Sequence, residues 1–199
     1  WHISHSPNHR GWFRLFEENT DPAQTADRKE GFDLARDLPL EDPRVRAGLP
    51  LHGPNVWPDG DAAFRPVMEA YYSAMGGLAD RLMQAIALSL GLERSHFASM
   101  IDDPLAQLRL LHYPPQDGHV DRADIGIGAH SDYGCLTILA QDRVGGLQVR
   151  NAAGDWIQAP PLPGSFVINL GDQLARWTND LFKATLHRVV NVSGQDRYS

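Results

Sequence analysis

The stretch Gly145-Gly146-Leu147-Gln148-Val149-Arg150-Asn151-Ala152-Ala153-Gly154-Asp155-Trp156-Ile157-Gln158 decides how this chain folds. It holds two short β-like runs, Leu147 to Arg150 and Trp156 to Gln158, with the turn-forming residues Asn151 to Gly154 between them. The pattern repeats on both sides. Upstream lie Leu108 to Tyr113, stopped by Pro114-Pro115, then Ile125 to His130 and Leu136 to Ala140. Downstream, beyond Pro160 to Gly164, come Ser165 to Leu170 and Ala184 to Val192. Many short strands at this spacing predict a sandwich or a barrel.

A different element precedes them. From Asp61 to Leu90 the apolar residues Met68, Tyr71, Met75, Leu78, Leu82, Ile86 and Leu90 step by three and four, which is one face of an amphipathic helix. Such a stripe is a packing face rather than a cofactor site. Gly91 is placed to end the helix as a left-handed cap, and Ser95 to open a short helical turn through Met100. From Trp1 to Gly60 the chain is irregular, with Asp37-Leu38-Pro39, Glu41-Asp42-Pro43 and Gly53-Pro54-Asn55 as turn punctuation. It is expected to wrap over the later elements. The predicted fold is mainly β, a jelly-roll core buttressed by one long helix from the N-terminal side. Residues 1–104 then form the N-terminal region and 105–199 the core.

Composition narrows the function classes. The 199 residues suffice for a substantial core, and 42% hydrophobic with 22% charged residues is ordinary for a soluble globular protein. A net charge of −7 argues against nucleic acid or an anionic membrane as partner. No apolar run approaches the roughly 18–20 residues of a membrane span, and no signal-peptide pattern opens the chain. It opens at Trp1 rather than Met, so a missing N-terminus is expected. Cys135 is the only cysteine, which excludes an internal disulfide framework and fits a reducing cytoplasm. Gly134-Cys135-Leu136-Thr137 reads as a small buried strand residue, not a reactive thiol. Oligomeric state is not legible.

The chemistry is written in His130-x-Asp132, His187 and Arg197-x-Ser199. Side chains alternate along a strand, so His130 and Asp132 point the same way if that stretch is extended. His187, in the run Thr185 to Val189, can add a third leg from a neighbouring strand. Two neutral imidazoles and one carboxylate suit iron(II) and leave positions open for other ligands. Zinc accepts the same donors, but its catalytic sites usually keep one open position. Both imidazoles must be neutral to ligate, so metal binding is expected to weaken in mild acid. An H-x-D pair alone is a weak signal. His52, His96, His112 and His119 are read as hydrogen-bonded structural histidines. The coincidence with a later histidine and with R-x-S carries the site. Arg197 can hold a carboxylate through a planar fork, Ser199 adds a hydroxyl donor, and Tyr113 offers a phenol to complete the anchor.

Taken in this order, the residues resemble the isopenicillin N synthase-like branch of the iron(II)/2-oxoglutarate-dependent dioxygenases. The likeness runs from Leu105 to the end through Leu110-Leu111-His112-Tyr113-Pro114-Pro115, Gly128-Ala129-His130-Ser131-Asp132, Leu136-Thr137-Ile138-Leu139, Val144-Gly145-Gly146-Leu147-Gln148-Val149, Pro163 to Asp172 and Leu186-His187-Arg188-Val189-Val190. Lys29-Glu30-Gly31-Phe32 and Pro50 to Asn55 further resemble bacterial and fungal members. The resemblance implies a double-stranded β-helix, with iron(II) held by His130, Asp132 and His187. It implies that Arg197, Ser199 and Tyr113 hold the distal carboxylate of 2-oxoglutarate, with ascorbate as reductant. It further implies O2-dependent oxidation of a C–H bond in a small organic substrate, coupled to decarboxylation of 2-oxoglutarate. Two departures stand out. Leu111 replaces an asparagine found in plant members. The family also continues beyond Ser199 and has opening strands before this N-terminal region, so the sequence reads as a fragment.

Two other functions fit the same residues. One is an iron(II) oxidase of the isopenicillin N synthase type, in which R-x-S holds the substrate's own carboxylate. The other is a non-catalytic binding jelly roll, which the complete ligand set opposes. Trp12, Phe13, Trp57 and Trp177 are pocket candidates weighed against ordinary packing. Arg109 and Arg176 are candidates for holding an acidic substrate, weighed against surface ion pairs. Substrate identity does not follow from fold analogy.

Overall fold

A computed structural model describes residues 1–23, 25–116 and 126–199. His119, and Ile125 at the head of one predicted strand, lie outside the described residues. The chain forms two compact units, one of residues 1–12 and 32–109, the other of 13–31 and 110–199.

In the first unit the predicted helix is α2, Phe64–Ser89. Every position of the predicted stripe is at least half-buried, and Met83 and Ala87 on the same face are fully buried. Gly91 takes φ +70°, the left-handed conformation that ends a helix without a Cβ clash. A 3-10 turn, Ala98–Met100, follows, opened by a hydrogen bond from Ala98 N to Ser95 O. A short helix α1, Pro43–Arg46, is capped by the Asp42 side chain, which accepts from Arg44 N.

The N-terminal stretch expected to be irregular contains two strands, β1 (Gly11–Phe13) and β2 (Glu30–Ala35). Their pattern is hidden because β2 buries Gly31, Asp33 and Leu34, a glycine and an acid among its inward residues. Burial of Asp33 is compensated by Arg109 Nε and Gln107 Nε2, which donate to its carboxylate at 2.8 and 2.9 Å respectively. An acid with two donors can sit where a hydrophobic pattern would call for a valine. Arg109 is thereby engaged in an ion pair.

The remaining strands follow the predicted order. They are β3 (Gln107–Tyr113), β4 (Ile127–His130), β5 (Leu136–Leu139), β6 (Leu147–Arg150), β7 (Trp156–Gln158), β8 (Val167–Leu170), β9 (His187–Val189) and β10 (Arg197–Tyr198). The runs over β6 and β7 match residue for residue, whereas Ala184 to Val192 shrinks to the three residues of β9. In the second unit one sheet has the order β4-β9-β6-β7, another pairs β5 with β8, and β10 pairs with the end of β3. The described pairings there are antiparallel. Tyr113, Ile127, Leu147 and Val189 form the buried core of this unit, with Leu111, Leu139, Ala159 and Val167 packed against them. Leu111 thus serves packing. A helix that the sequence pattern does not announce, α3 (Asp172–Trp177), buries Leu174 and Ala175. Among the described residues no helix is long and apolar enough to cross a membrane.

Candidate active site

The second unit brings His130, Asp132 and His187 together, with one donor atom from each lying within 4.8 Å of the others. Register does much of this work, because His130 faces His187 across the β4–β9 ladder. The ladder is bulged there: Ile127 to His130 spans three steps on β4 opposite the two from Val189 to His187. A bulge bends its strand and re-aims the next side chain. The imidazole centroids end 4.2 Å apart. Asp132 lies beyond the end of β4 in a loop, so its convergence comes from the loop path rather than from strand alternation.

Each imidazole is oriented from behind. His130 Nδ1 lies 2.8 Å from Gly128 O, and His187 Nδ1 lies 3.1 Å from Thr185 O. A carbonyl only accepts, so in the neutral imidazole the proton sits on Nδ1 and the Nε2 lone pair is the one left to ligate. Those Nε2 atoms sit 3.7 and 3.5 Å from Asp132 Oδ1. Three donors about 2.0–2.2 Å from one ion would themselves be about 3 Å apart, so the set fits a divalent metal with small adjustment.

The Asp132 loop is clamped by residues that sequence reasoning gave no role. Asn169 on β8 donates from Nδ2 to Asp132 Oδ2 at 2.8 Å, which leaves Oδ1 toward the histidines. Asp172 N donates to Asp132 O at 2.7 Å, and Gly171 N to Cys135 O at 3.0 Å. Ser131 Oγ donates to Asp172 Oδ2 at 3.0 Å. A Cβ on Gly171 would come 2.2 Å from Gly134 O and 2.7 Å from Asp132 O, so only glycine allows this approach. The signal was present as Asn169-Leu170-Gly171-Asp172 closing a strand, but its meaning depends on which loop it meets. Cys135 sits half-buried in this loop, ahead of β5, and burial pushes its thiol pKa up.

Electrostatics favours the ligating forms of His130 and Asp132. Burial lowers the His130 pKa, aided by the like charge of His187 and opposed by the Gly128 hydrogen bond. Burial alone would raise Asp132. Hydrogen bonds from Thr137 and Asn169, with the two histidines nearby, outweigh it and hold the carboxyl below its ordinary value.

Arg197, Ser199 and Tyr113 also come together. Arg197 faces Tyr113 across the β3–β10 ladder, with its guanidinium 4.7 Å from the phenol ring centroid. Arg197 Nη1 donates to Ser199 Oγ at 3.2 Å, Nη2 to Gln141 Oε1 at 3.4 Å, and Nε to Gly145 O. Gln141 is the member of this group that the sequence did not announce. Arg197 is 0% exposed, and among the described residues no carboxylate pairs with it. Burial lowers its pKa, opposed by Tyr113 and by the charge of Asp142.

Phe13 is core, 1% exposed, and Trp57 belongs to the first unit, where Nε1 donates to Asp37 Oδ2 at 3.1 Å. Arg176 is exposed on α3.

Comparison with known proteins matches the chain to a family. The profile of the 2OG-Fe(II) oxygenase superfamily matches residues 104–199, and that of the non-haem dioxygenase N-terminal region matches residues 1–60. The chain belongs to the 2OG-Fe(II) oxygenase superfamily. A 2-oxoglutarate-Fe(II) type oxidoreductase of Aspergillus fumigatus is 40% identical over 203 residues, covering 99% of this chain and 60% of that protein. A homoarginine-6-hydroxylase of Glycine max is 41% identical, covering 96% and 58%. A full-length Neurospora crassa protein, solved in complex with alpha-KG and thymine, superposes with a TM-score of 0.83 at 33% identity, covering 100% of this chain and 62% of that one. The fold is the double-stranded β-helix of these oxygenases. The cofactors of the superfamily are iron(II) and 2-oxoglutarate, and the donor sets described above fit both. The chain spans about three-fifths of the length of the curated relatives it matches.

Proposed function

We propose that the chain carries the catalytic core, residues 105–199, of an iron(II)/2-oxoglutarate-dependent dioxygenase that oxidises a C–H bond of a small organic substrate with O2. The observation that carries this reading is the coexistence of two donor sets in one unit: three converging metal donors with free lone pairs, and a buried guanidinium without an acid partner. Together the two sets match a co-substrate with a chelating keto acid at one end and a second carboxylate at the other.

The roles follow from the contacts. His130, Asp132 and His187 are the metal ligands, each presenting one donor while its other polar atom is held from behind. Arg197 and Ser199 bind the distal carboxylate, with the Tyr113 ring against the guanidinium. When bound, iron(II) with 2-oxoglutarate supplies the oxidising chemistry, releasing succinate and CO2. The protein's part is orientation, and ascorbate serves as a reductant that keeps the iron divalent. The names of similar proteins include a homoarginine hydroxylase and structures with thymine or JA, which supports a small-molecule substrate. Net charge supports partners other than nucleic acid or an anionic membrane, and the lone cysteine supports a cytoplasmic location.

The test is succinate formation from 2-oxoglutarate under air with iron(II) and ascorbate. The wild-type chain is expected to form it slowly without substrate and His187→Ala not at all. Equal rates in the two would defeat the proposal, and O2 uptake indifferent to 2-oxoglutarate would favour an oxidase.

A further inference from the structure

The motif Lys29-Glu30-Gly31-Phe32 has no role in the site described above, yet Lys29 is fully buried. Its ammonium lies 2.7 Å from Asp27 Oδ2 and 3.0 Å from Glu18 Oε2, and Asp27 is itself 1% exposed. Asp27 Oδ2 also accepts from the backbone N–H and the hydroxyl of Thr20. A buried ion pair of this kind adds little stability over a well-packed apolar pair, so its retention asks for another reason.

That reason lies at the other carboxylate oxygen. Asp27 Oδ1 accepts from Gly128 N at 3.1 Å. Gly128 lies in the bulge of β4, where the residue a bulge adds is left without a ladder partner. Its carbonyl is the group that receives His130 Nδ1. The same loop presses on the strand here, since a Cβ on Gly128 would come 2.6 Å from Asp21 Cβ and 3.1 Å from Asp21 N. Gly128 is thus gripped from the N-terminal loop on its N–H side while its carbonyl orients an imidazole.

We propose that Asp27, held in place by Lys29, is a positioning residue for the metal: it fixes the bulge at Gly128 and through it the direction of His130 Nε2. This rests on the reading of His130 as a ligand. Asp27 touches neither metal nor substrate, and its influence passes through the backbone of one residue. Partners that orient a ligating histidine typically change metal affinity about 10–100-fold when lost.

The experiment compares two charge-neutral double variants of the full chain, Asp27→Asn/Lys29→Met and Asp27→Ala/Lys29→Met. Both remove the ion pair; only the first keeps an oxygen for Gly128 N–H. Cobalt(II) is titrated into each and followed by its ligand-field absorption, with thermal unfolding of the metal-free protein as the measure of stability. Met83→Ala, a core truncation in the other compact unit, calibrates how far lost stability alone weakens binding. The asparagine variant is expected to bind cobalt(II) like the wild type, and the alanine variant about 10–100-fold more weakly. Equal affinity in the two doubles, or a loss matched by Met83→Ala, overturns the inference. His130→Ala separates the two readings: if it binds cobalt(II) undiminished, the metal-site reading falls with the inference; if it loses binding while the doubles do not differ, only the inference falls.

Discussion

The two ends of the proposed co-substrate site are built on opposite principles. At the metal end every polar atom that does not face the cluster already has a partner: Gly128 O and Thr185 O for the imidazoles, Asn169 for the carboxylate. The side chains of His130, Asp132 and His187 keep 20, 20 and 13% of their surface, so they are presented and ready. At the anchor end Arg197 is 0% exposed and hydrogen-bonds neutral groups, among them a serine, a glutamine and a carbonyl, while the charge of Asp142 acts on it without contact. The first site is satisfied and lacks only an ion. The second carries a buried charge that no acid contacts, which a bound anion would relieve. Losing a partner should therefore loosen the metal end, whereas neutralising the anchor should remove a cost.

The largest effect belongs to the ligands. His130→Ala, Asp132→Ala and His187→Ala are each expected to bring cobalt(II) or iron(II) binding and succinate formation below detection, since a set of three donors has none to spare. Retained binding in any of them would break the comparison at its first term. Arg197→Met comes next and distinguishes the two ends. Breaking a buried charge–carboxylate contact costs about 3–5 kcal/mol, more than a hundredfold in 2-oxoglutarate affinity. Removing a buried cation that no acid contacts should meanwhile leave the melting temperature of the ligand-free chain unchanged or higher. Calorimetric titration and thermal unfolding check the two halves separately. A large fall in melting temperature would mean that the neutral partners balance Arg197 after all. Arg197→Lys should fall between, because an ammonium cannot reproduce the fork.

How far these two ends were legible in the sequence depends on their physics. His130, Asp132, His187, Arg197 and Ser199 could be named because an H-x-D pair, a later histidine in a β-like run and an R-x-S pair coincide, and strands β6 and β7 because glycine and asparagine punctuation brackets them. The illegible features are those that depend on compensation across distant segments. The β2 strand was hidden by buried Asp33, acceptable only because Arg109 and Gln107 reach it. The role of Asn169 depends on β8 lying beside the Asp132 loop, and that of Gln141 on where Arg197 is buried. The bulge in β4 is a mismatch of two strands and cannot be read from either alone.

Asn169→Ala sharpens the metal end at smaller amplitude. It leaves Asp132 Oδ2 without its amide donor and Thr137 as the remaining side-chain donor to the carboxylate, so metal affinity should fall toward the lower end of about 10–100-fold. Asn169→Asp should do worse than alanine by setting a second carboxylate against the first. If both variants bind cobalt(II) as the wild type does, Thr137 and the Gly171–Asp172 turn suffice to hold the loop, and the metal end is less dependent on Asn169 than the contrast supposes.

The smallest effect tests the contrast within a single ladder. Beside the Arg197–Tyr113 pair, the next register pair sets His112 against Tyr198, stacked with ring centroids 4.8 Å apart. Here a cation has two acids: His112 Nδ1 lies 2.8 Å from Glu30 Oε1 and Nε2 lies 2.7 Å from Asp196 Oδ1. Burial would lower the His112 pKa, but the hydrogen bonds to Asp196 and Glu30 together outweigh it, and the net shift is upward. A folded pKa above the unfolded value near 6.5 means that the charged form is favoured by folding. The stabilisation is therefore complete below the unfolded pKa and is lost as pH rises through the folded one. Wild type and His112→Gln should differ most in melting temperature at about pH 6 and converge toward about pH 9, whereas Arg197→Met should show no such convergence because a guanidinium does not titrate there. A gap between wild type and His112→Gln that is constant with pH would mean that the imidazole is held neutral and that neighbouring pairs of this ladder do not differ in how their charge is met.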